Sequence, residues 1–351
     1  MDVEVLLAYL AGVIDSDGYL KVIDTYRTRG TVFPYYQTSI GVQQLQPGNA
    51  VALFASTFDG KMKLWPLPSN RQIARCEVHC WKAEAAARKL LPYLLVKKDQ
   101  ALALLDVARL NRDLRNRTPQ RYRDLEVARK TLVSLHEGSW TKSSKTLPLL
   151  AFKSGYQCMN PVQLGWTRPQ VLSYLAGVMD SDGNFRIERR HVRDMMSPHY
   201  RISIRCAQVS PSPAVELLAK TFGGHPRLIK PRRPNRRDLV CWSLHDKAAA
   251  SAVEALIPYL AVKEREAYLL LELRRLKAQG KKGMTEWEHP NRWRDSVRMR
   301  KRCYTPEQVA RFERIHRTLQ ALHSAGSDLF GSDGCGPTPD RFRLSGVHRP
   351  G

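Results

Sequence analysis

Leu10-Ala11-Gly12-Val13-Ile14-Asp15-Ser16-Asp17-Gly18 returns as Leu175-Ala176-Gly177-Val178-Met179-Asp180-Ser181-Asp182-Gly183, 165 residues later. Two further segments return with it. Thr57-Phe58-Asp59-Gly60 is matched by Thr221-Phe222-Gly223-Gly224 at an offset of 164, and Leu91-Pro92-Tyr93-Leu94-Leu95-Val96-Lys97 by Ile257-Pro258-Tyr259-Leu260-Ala261-Val262-Lys263 at 166. Near-constant offsets mean two collinear copies of one fold. Copies this long are a duplicated domain, not a solenoid of short repeats.

Both copies show the same alternation of patterns. An apolar helix runs from Val3 to about Ile14, or from Val171 to Met179, and ends at the Asp-Ser-Asp-Gly turn. Period-two strands follow over 19–27 and 33–43 in copy one, and over 184–191 and 200–207 in copy two. A helix near 47–57 or 211–221 comes next, with Pro tolerated in its first turn. Strands near 61–67 and 72–79 precede helices opening at Lys82 and Lys247, and another helix follows Pro92 or Pro258. The order αββαββα joins strands in hairpins, which predicts an α+β fold of two antiparallel sheets with helices on one face. Residues 1–137 form the first domain, 138–166 a linker, 167–324 the second domain, and 325–351 a Gly-, Pro- and Ser-rich tail expected to be disordered. Copy two carries an insertion between Ala278 and Arg302, after which Thr305-Pro306 opens a helix matching the one at Thr118-Pro119.

Composition bounds the function. With 57 Lys+Arg against 33 Asp+Glu, the 351-residue chain carries a formal charge of +24. Such an excess attracts DNA, RNA or anionic lipid alike through counterion release. No apolar run is long enough to span a membrane and no secretory signal opens the chain, so a cytosolic or organellar compartment is expected. The 7 cysteines are scattered and odd in number, which suits reduced thiols. Cys76, His79 and Cys80 come near a metal-ligand spacing, but no second ligand pair follows, and they read as residues of a packed strand.

Chemistry enters through the repeated motif. Gly12 and Gly177 lie inside apolar helices, where glycine costs roughly 0.5–1 kcal/mol relative to alanine. Close approach of two helix backbones explains both. Helices packed about a pseudo-two-fold axis bring their C-terminal ends together, and with them Asp17 and Asp182. Paired carboxylates at helix C-termini repel each other and the local dipole, so they call for cations. Hard oxygen ligands select Mg²⁺-type ions, and two such ions can stabilise both oxygens of a phosphodiester displacement. Asp15 and Asp180 read as structural, hydrogen-bonded at the helix end. The further ligands of a calcium-binding loop are absent, and so is the Asp-Ser-Gly of aspartic proteases.

In these residues, over roughly 1–325, the chain resembles the LAGLIDADG homing endonucleases in their single-chain, two-motif form. The resemblance implies hydrolysis of both DNA strands across the minor groove with Mg²⁺, leaving short 3′ overhangs; Mn²⁺ or Ca²⁺ could occupy the same site. It implies metal binding by Asp17 and Asp182, water ordering by Gln44 and Gln208, and transition-state stabilisation or water activation by Lys97 and Lys263. It also implies a monomer, since both motifs lie in one chain. Two other functions fit the same fold: an intron maturase that binds RNA, and a catalytically inactive DNA-binding regulator. Retention of both Asp17 and Asp182 speaks against the latter.

Strand alternation supplies a reading face. In copy two, His199, Arg201, Ser203 and Arg205 alternate with Tyr200, Ile202, Ile204 and Cys206, while Arg186, Glu188 and Arg190 alternate with Phe185 and Ile187. Copy one offers Lys21, Thr25, Arg27 and Arg29, then Tyr35, Gln37 and Ser39. Arg and Gln on such a face reach guanine and adenine edges in the major groove. Lys230, Arg232 and Arg233, and Lys281 with Lys282, are expected on phosphates. The outward residues of the copies differ almost throughout, which predicts a weakly palindromic double-stranded target.

Overall fold

A computed structural model of the chain describes residues 2–25, 35–46, 48–67, 71–112, 118–137, 164–190, 198–230, 237–280, 283–289 and 297–327. Copy one comprises α1 (Val3–Asp17), β1 (Gly18–Thr25), β2 (Tyr35–Leu45), α2 (Asn49–Thr57), β3 (Met62–Pro66), β4 (Gln72–His79), α3 (Cys80–Leu90), α4 (Lys98–Arg112) and α5 (Pro119–Glu137). Copy two repeats the order with α6 (Arg168–Asp182), β5 (Gly183–Arg190), β6 (His199–Val209), α7 (Pro213–Phe222), β7 (Arg227–Ile229), β8 (Leu239–His245), α8 (Asp246–Leu256) and α9 (Glu264–Ala278). The insertion folds as an antiparallel hairpin, β9 (Gly283–His289) with β10 (Val297–Cys303), before α10 (Pro306–Ser327). Among the described residues no helix is long and apolar enough to cross a membrane.

Each copy forms a four-stranded antiparallel sheet, in the order β1-β2-β4-β3 and β5-β6-β8-β7. Alternation decides which side is covered. Leu20, Ile40, Val42, Ala74, Cys76 and Val78 point to the helices and are buried, as are Phe185, Ile187, Ile202, Ile204 and Cys206 in copy two. Cys76 is thus a core residue. The closing helices dock alike: Tyr36 Oη donates to Glu126 Oε2 of α5 at 2.6 Å, and Tyr200 Oη donates to Glu313 of α10.

α1 and α6 form the seam, and both are buried almost all round, as helices in the middle of a molecule must be. The glycines sit where expected. A Cβ on Gly12 would collide with the carbonyl oxygen of Tyr174, and one on Gly177 with that of Tyr9. Side chains staple the seam further along: Ser173 Oγ donates to the Val5 carbonyl at 2.7 Å, and Gln170 Nε2 to Glu4 Oε2 at 2.7 Å.

Several boundaries differ from the sequence expectation. Neither α1 nor α6 stops at the Asp-Ser-Asp-Gly segment; both run through it to Asp17 and Asp182. Gly18 then starts β1 in extended conformation, with φ −80°. It is glycine because a Cβ there would stand 2.6 Å from Ile14 Cα, not because the chain turns left-handed. α3 opens at Cys80, two residues ahead of Lys82. Trp166, placed in the linker by sequence, is already docked: its Nε1 donates to the Pro92 carbonyl, and its ring lies 5.4 Å from that of Tyr174. α10 runs to Ser327, past the expected end of the second domain.

Candidate active site

The C-terminal ends of α1 and α6 meet, and their side chains are stitched together by reciprocal bonds. Gln44, near the end of β2, donates through Nε2 to Asp17 Oδ2 (2.9 Å) and to Ser181 Oγ (3.2 Å) of the other copy. Gln208, near the end of β6, donates to Asp182 Oδ2 (2.7 Å) and to Ser16 Oγ (3.0 Å). Each glutamine thereby ties its own copy's aspartate to the motif of the partner copy. Asp17 has its pKa raised to about 6, first by burial and then by the negative charge of Asp182, with Gln44, Lys263 and Ser181 acting in the opposite direction. The charge of Asp182 is thus felt at Asp17 across the seam.

Asp15 and Asp180 do something else. Asp15 accepts from the backbone N–H groups of Leu95, Val96 and Lys97 at 2.8–3.1 Å, and from Tyr174 Oη at 2.7 Å. Asp180 accepts from Ala261, Val262 and Lys263, and from Tyr9 Oη at 2.8 Å. Each carboxylate thus pins the segment after Pro92 or Pro258 to its own helix while a tyrosine of the opposite helix crosses the seam to it. The helix-end role expected for these residues takes this form.

The pinned segment ends in the lysine. Lys97 Nζ donates to the carbonyls of Ile14, Ser16 and Gly18 at 2.6–3.2 Å. Lys263 Nζ repeats this on Met179, Ser181 and Gly183. An ammonium has three protons, and all three are engaged. Each lysine caps the carbonyls at a helix C-terminus, where a cation also suits the dipole. This is why the helices continue through both aspartates without a left-handed residue. Burial lowers the pKa of Lys97, opposed by Asp15, Asp182 and Asp17. Gln44, Gln208, Lys97 and Lys263 thus converge with Asp17 and Asp182 at one centre.

Among the described residues no group of three or more His, Cys, Asp or Glu side chains gathers into a metal-binding cluster. The donor set at the centre is the two carboxylates and the Gln44 amide oxygen. That set fits a hard divalent cation that keeps much of its water and takes its remaining oxygens from a substrate phosphate, the usual habit of Mg²⁺.

The outer faces of the sheets lie opposite the helices. Register pairs Lys21 with Ser39, Arg186 with Ser203, Glu188 with Arg201 and Arg190 with His199, placing these residues on the same side of their sheets. Not all of them are open. Ser39 and Ser203 are buried beneath neighbours, Ser39 donating to Glu77 and Ser203 to Glu188 at 3.5 Å. Arg201 is held by Glu188 at 2.8 Å, and Arg205 Nε lies 2.8 Å from Cys241 Sγ. Gln37 is half-buried, and Arg186, Arg190 and Lys230 are exposed. Thr25 and Tyr35 are paired on β1 and β2, but their side chains lie outside the described residues, as do Arg27, Arg29, Arg232, Arg233, Lys281 and Lys282 altogether.

Sequence reasoning passed over several residues. Tyr9, Tyr174, Ser16 and Ser181 recur at the repeat offset, which was the available signal. On the face of copy one, Glu77 accepts from Lys21 (2.8 Å), Arg75 (2.6 Å) and Tyr19 (3.1 Å), and the exposed Lys63 and Trp65 of β3 pair with Arg75 and Ile73. Ile73, Arg75 and Glu77 alternate with buried Ala74, Cys76 and Val78, so period two on β4 would have found them.

No family model and no curated protein matches the chain. Solved structures do. I-SmaMI bound to an uncleaved DNA target in the presence of calcium ions is 11% identical, with 90% of this chain and 98% of that one covered at a TM-score of 0.60. The I-LtrWI LAGLIDADG homing endonuclease bound to target DNA is 12% identical over 90% and 98% at 0.61. The LAGLIDADG meganuclease I-AabMI bound to uncleaved DNA is 14% identical over 89% and 98% at 0.58. This chain has the fold of those LAGLIDADG homing endonucleases.

Proposed function

We propose that this chain is a site-specific, divalent-metal-dependent DNA endonuclease that acts as a monomer, with Asp17 and Asp182 as its metal-binding carboxylates. The observation that carries this reading is their meeting at the seam, each held by a glutamine from its own sheet and a serine from the other motif. Two divalent cations bound there would supply Lewis acidity at the attacking and leaving oxygens of a phosphodiester, Mg²⁺ being the ion the donors suit best. The protein's own part is positional. Gln44 and Gln208 fix the carboxylate planes, while Lys97 and Lys263 hold the helix ends and place positive charge behind the carboxylates. Because every lysine N–H is engaged, the lysines act as fixed charges and not as proton donors.

The sheet faces supply the partner. Arg186, Arg190, Arg201 and Arg205 in copy two, with Lys21, Gln37 and Arg75 in copy one, suit major-groove readout of duplex DNA. A chain charge of +24 supplies the non-specific attraction. The faces carry different residues, so the half-sites differ, and the cut falls between them across the minor groove with short 3′ overhangs. A randomised duplex library incubated with the protein in Mg²⁺, followed by sequencing of cut ends, tests this. Recovery of one long, weakly palindromic site with cuts on both strands is the expected result. Absence of any cut, with tight binding of structured RNA in its place, would overturn it in favour of a splicing role.

A further inference from the structure

Gln44 and Gln208 occupy matching positions, yet their amides are not equivalent. Both use Nε2 in the same way, on their own aspartate and on the opposite motif serine. The carbonyl oxygens differ. Gln208 Oε1 accepts a hydrogen bond from Ser212 Oγ at 2.5 Å. Ser212 is 1% exposed and its oxygen already accepts from the Val215 N–H at the start of α7, which turns its own proton toward Gln208. Gln44, itself 9% exposed, has an Oε1 that is buried and has no hydrogen-bond partner among the described residues.

The cause lies four residues downstream. Ser212 is matched in copy one by Gly48, which has no side chain to offer. Nor is a serine accommodated there: Gly48 has φ +58°, and a Cβ on it would stand 2.5 Å from Ala74 Cβ. A buried acceptor without a donor is an unstable arrangement that water or a hydrated ion relieves, and an amide oxygen is a suitable hard ligand.

We propose that Ser212 is a positioning residue that makes the two halves of the centre unequal, locking Gln208 onto Asp182 while Gln44 keeps its carbonyl open for a water molecule or a hydrated cation. This rests on the nuclease reading above. A locked amide is organised before substrate arrives, whereas the open one reaches its working geometry only once its ligand is bound. The strand served by the Gln208 half is therefore cut first, and a nicked duplex accumulates. Ser212 touches neither substrate nor metal, and its influence on the reaction passes through Gln208.

Single-turnover cleavage of the selected duplex, with each strand separately labelled and enzyme saturating, tests the proposal. The wild type should cut one strand faster than the other. Ser212→Ala should slow that faster strand by roughly 3- to 10-fold, the worth of one hydrogen bond, and leave the slower strand unchanged. Ser212→Thr, which retains the hydroxyl, should restore the original order. Since Ser212 also caps α7, Ser212→Cys serves as a second probe that keeps the volume but donates poorly, and it should slow the same strand. Equal strand rates in the wild type, or equal slowing of both strands in the variants, would overturn the inference. A wild type that cuts no duplex at all would fail the nuclease reading instead.

Discussion

The centre and the outer sheet faces treat carboxylates in opposite ways. At the centre, burial and the nearby charge of Asp182 push Asp17 up to about 6. On the face of copy one, burial also works against the Glu77 carboxylate, but hydrogen bonds from Lys21, Ser39 and Arg75 outweigh it and bring its pKa down to about 2. One site gathers like charges and suits an added cation. The other neutralises its acid within the protein and orients two basic side chains with it. The symmetry of the molecule divides along the same line. At the centre the copies repeat the same contacts apart from the Ser212–Gln208 bond, because each helix must fit the backbone of the other. On the faces they diverge, because no described helix packs there to hold their side chains alike.

The largest expected effect is at the centre. Asp17→Asn or Asp182→Asn should each reduce double-strand cleavage by on the order of 10³-fold or more, since several kcal/mol of charge stabilisation depend on each metal site. Affinity for the same duplex in a gel-shift assay should stay within a few-fold. Full cleavage by either variant would remove the contrast between a chemical centre and a reading face.

Next in size is the seam. Gly12→Val and Gly177→Val place carbon atoms against the backbone carbonyls of Tyr174 and Tyr9, and neither carbonyl can swing aside within a helix. A loss of about 3 kcal/mol or more in unfolding free energy is expected from overpacking of this kind. Thermal unfolding measures it, and an unchanged midpoint would mean that the helices do not cross where described.

The faces should show smaller, base-specific effects. Arg201→Ala and Arg205→Ala should lose about 1–3 kcal/mol at particular base pairs of the half-site read by copy two. Replacing Lys281 and Lys282 should weaken binding to all sequences alike and flatten its salt dependence. Specificity profiles over a randomised half-site at two salt concentrations separate the two behaviours; a reversal would put the reading face elsewhere in the chain.

The smallest effect concerns Glu77 and carries a pH signature. Its folded pKa of about 2 lies below the ~4.3 of an unfolded glutamate. The stability it contributes is present above the unfolded value and disappears as pH falls toward about 2. Because Lys21 and Arg75 are partly exposed, that contribution is on the order of 1–2 kcal/mol. Glu77→Gln should therefore be less stable than the parent at pH 7 and nearly equal to it at pH 2. Chemical denaturation at the two values decides it, and a difference independent of pH would show that the ion pairs are not its origin.

What the sequence by itself determined is what repetition and local period encode. The 165-residue offset required two copies. Paired glycines in apolar helices required a close seam, and the seam brought Asp17 to Asp182. Period two sorted each strand into a covered side and an open one. Tertiary structure alone decided the uses of residues whose partners are remote in the chain. Tyr174 reaches Asp15 across 159 positions, Tyr9 reaches Asp180 across 171, and Gln208 reaches Ser16 across 192. No local pattern marks such pairs. Even Lys97, assigned to the centre by the resemblance and not by any local pattern, took its role from a fact invisible in the chain: both helices end without a left-handed cap, and their carbonyls need a donor. The inequality of the glutamines arose the same way, since Ser212 matters only because β6 and the start of α7 turn its hydroxyl toward Gln208, where copy one has the hydrogen of Gly48.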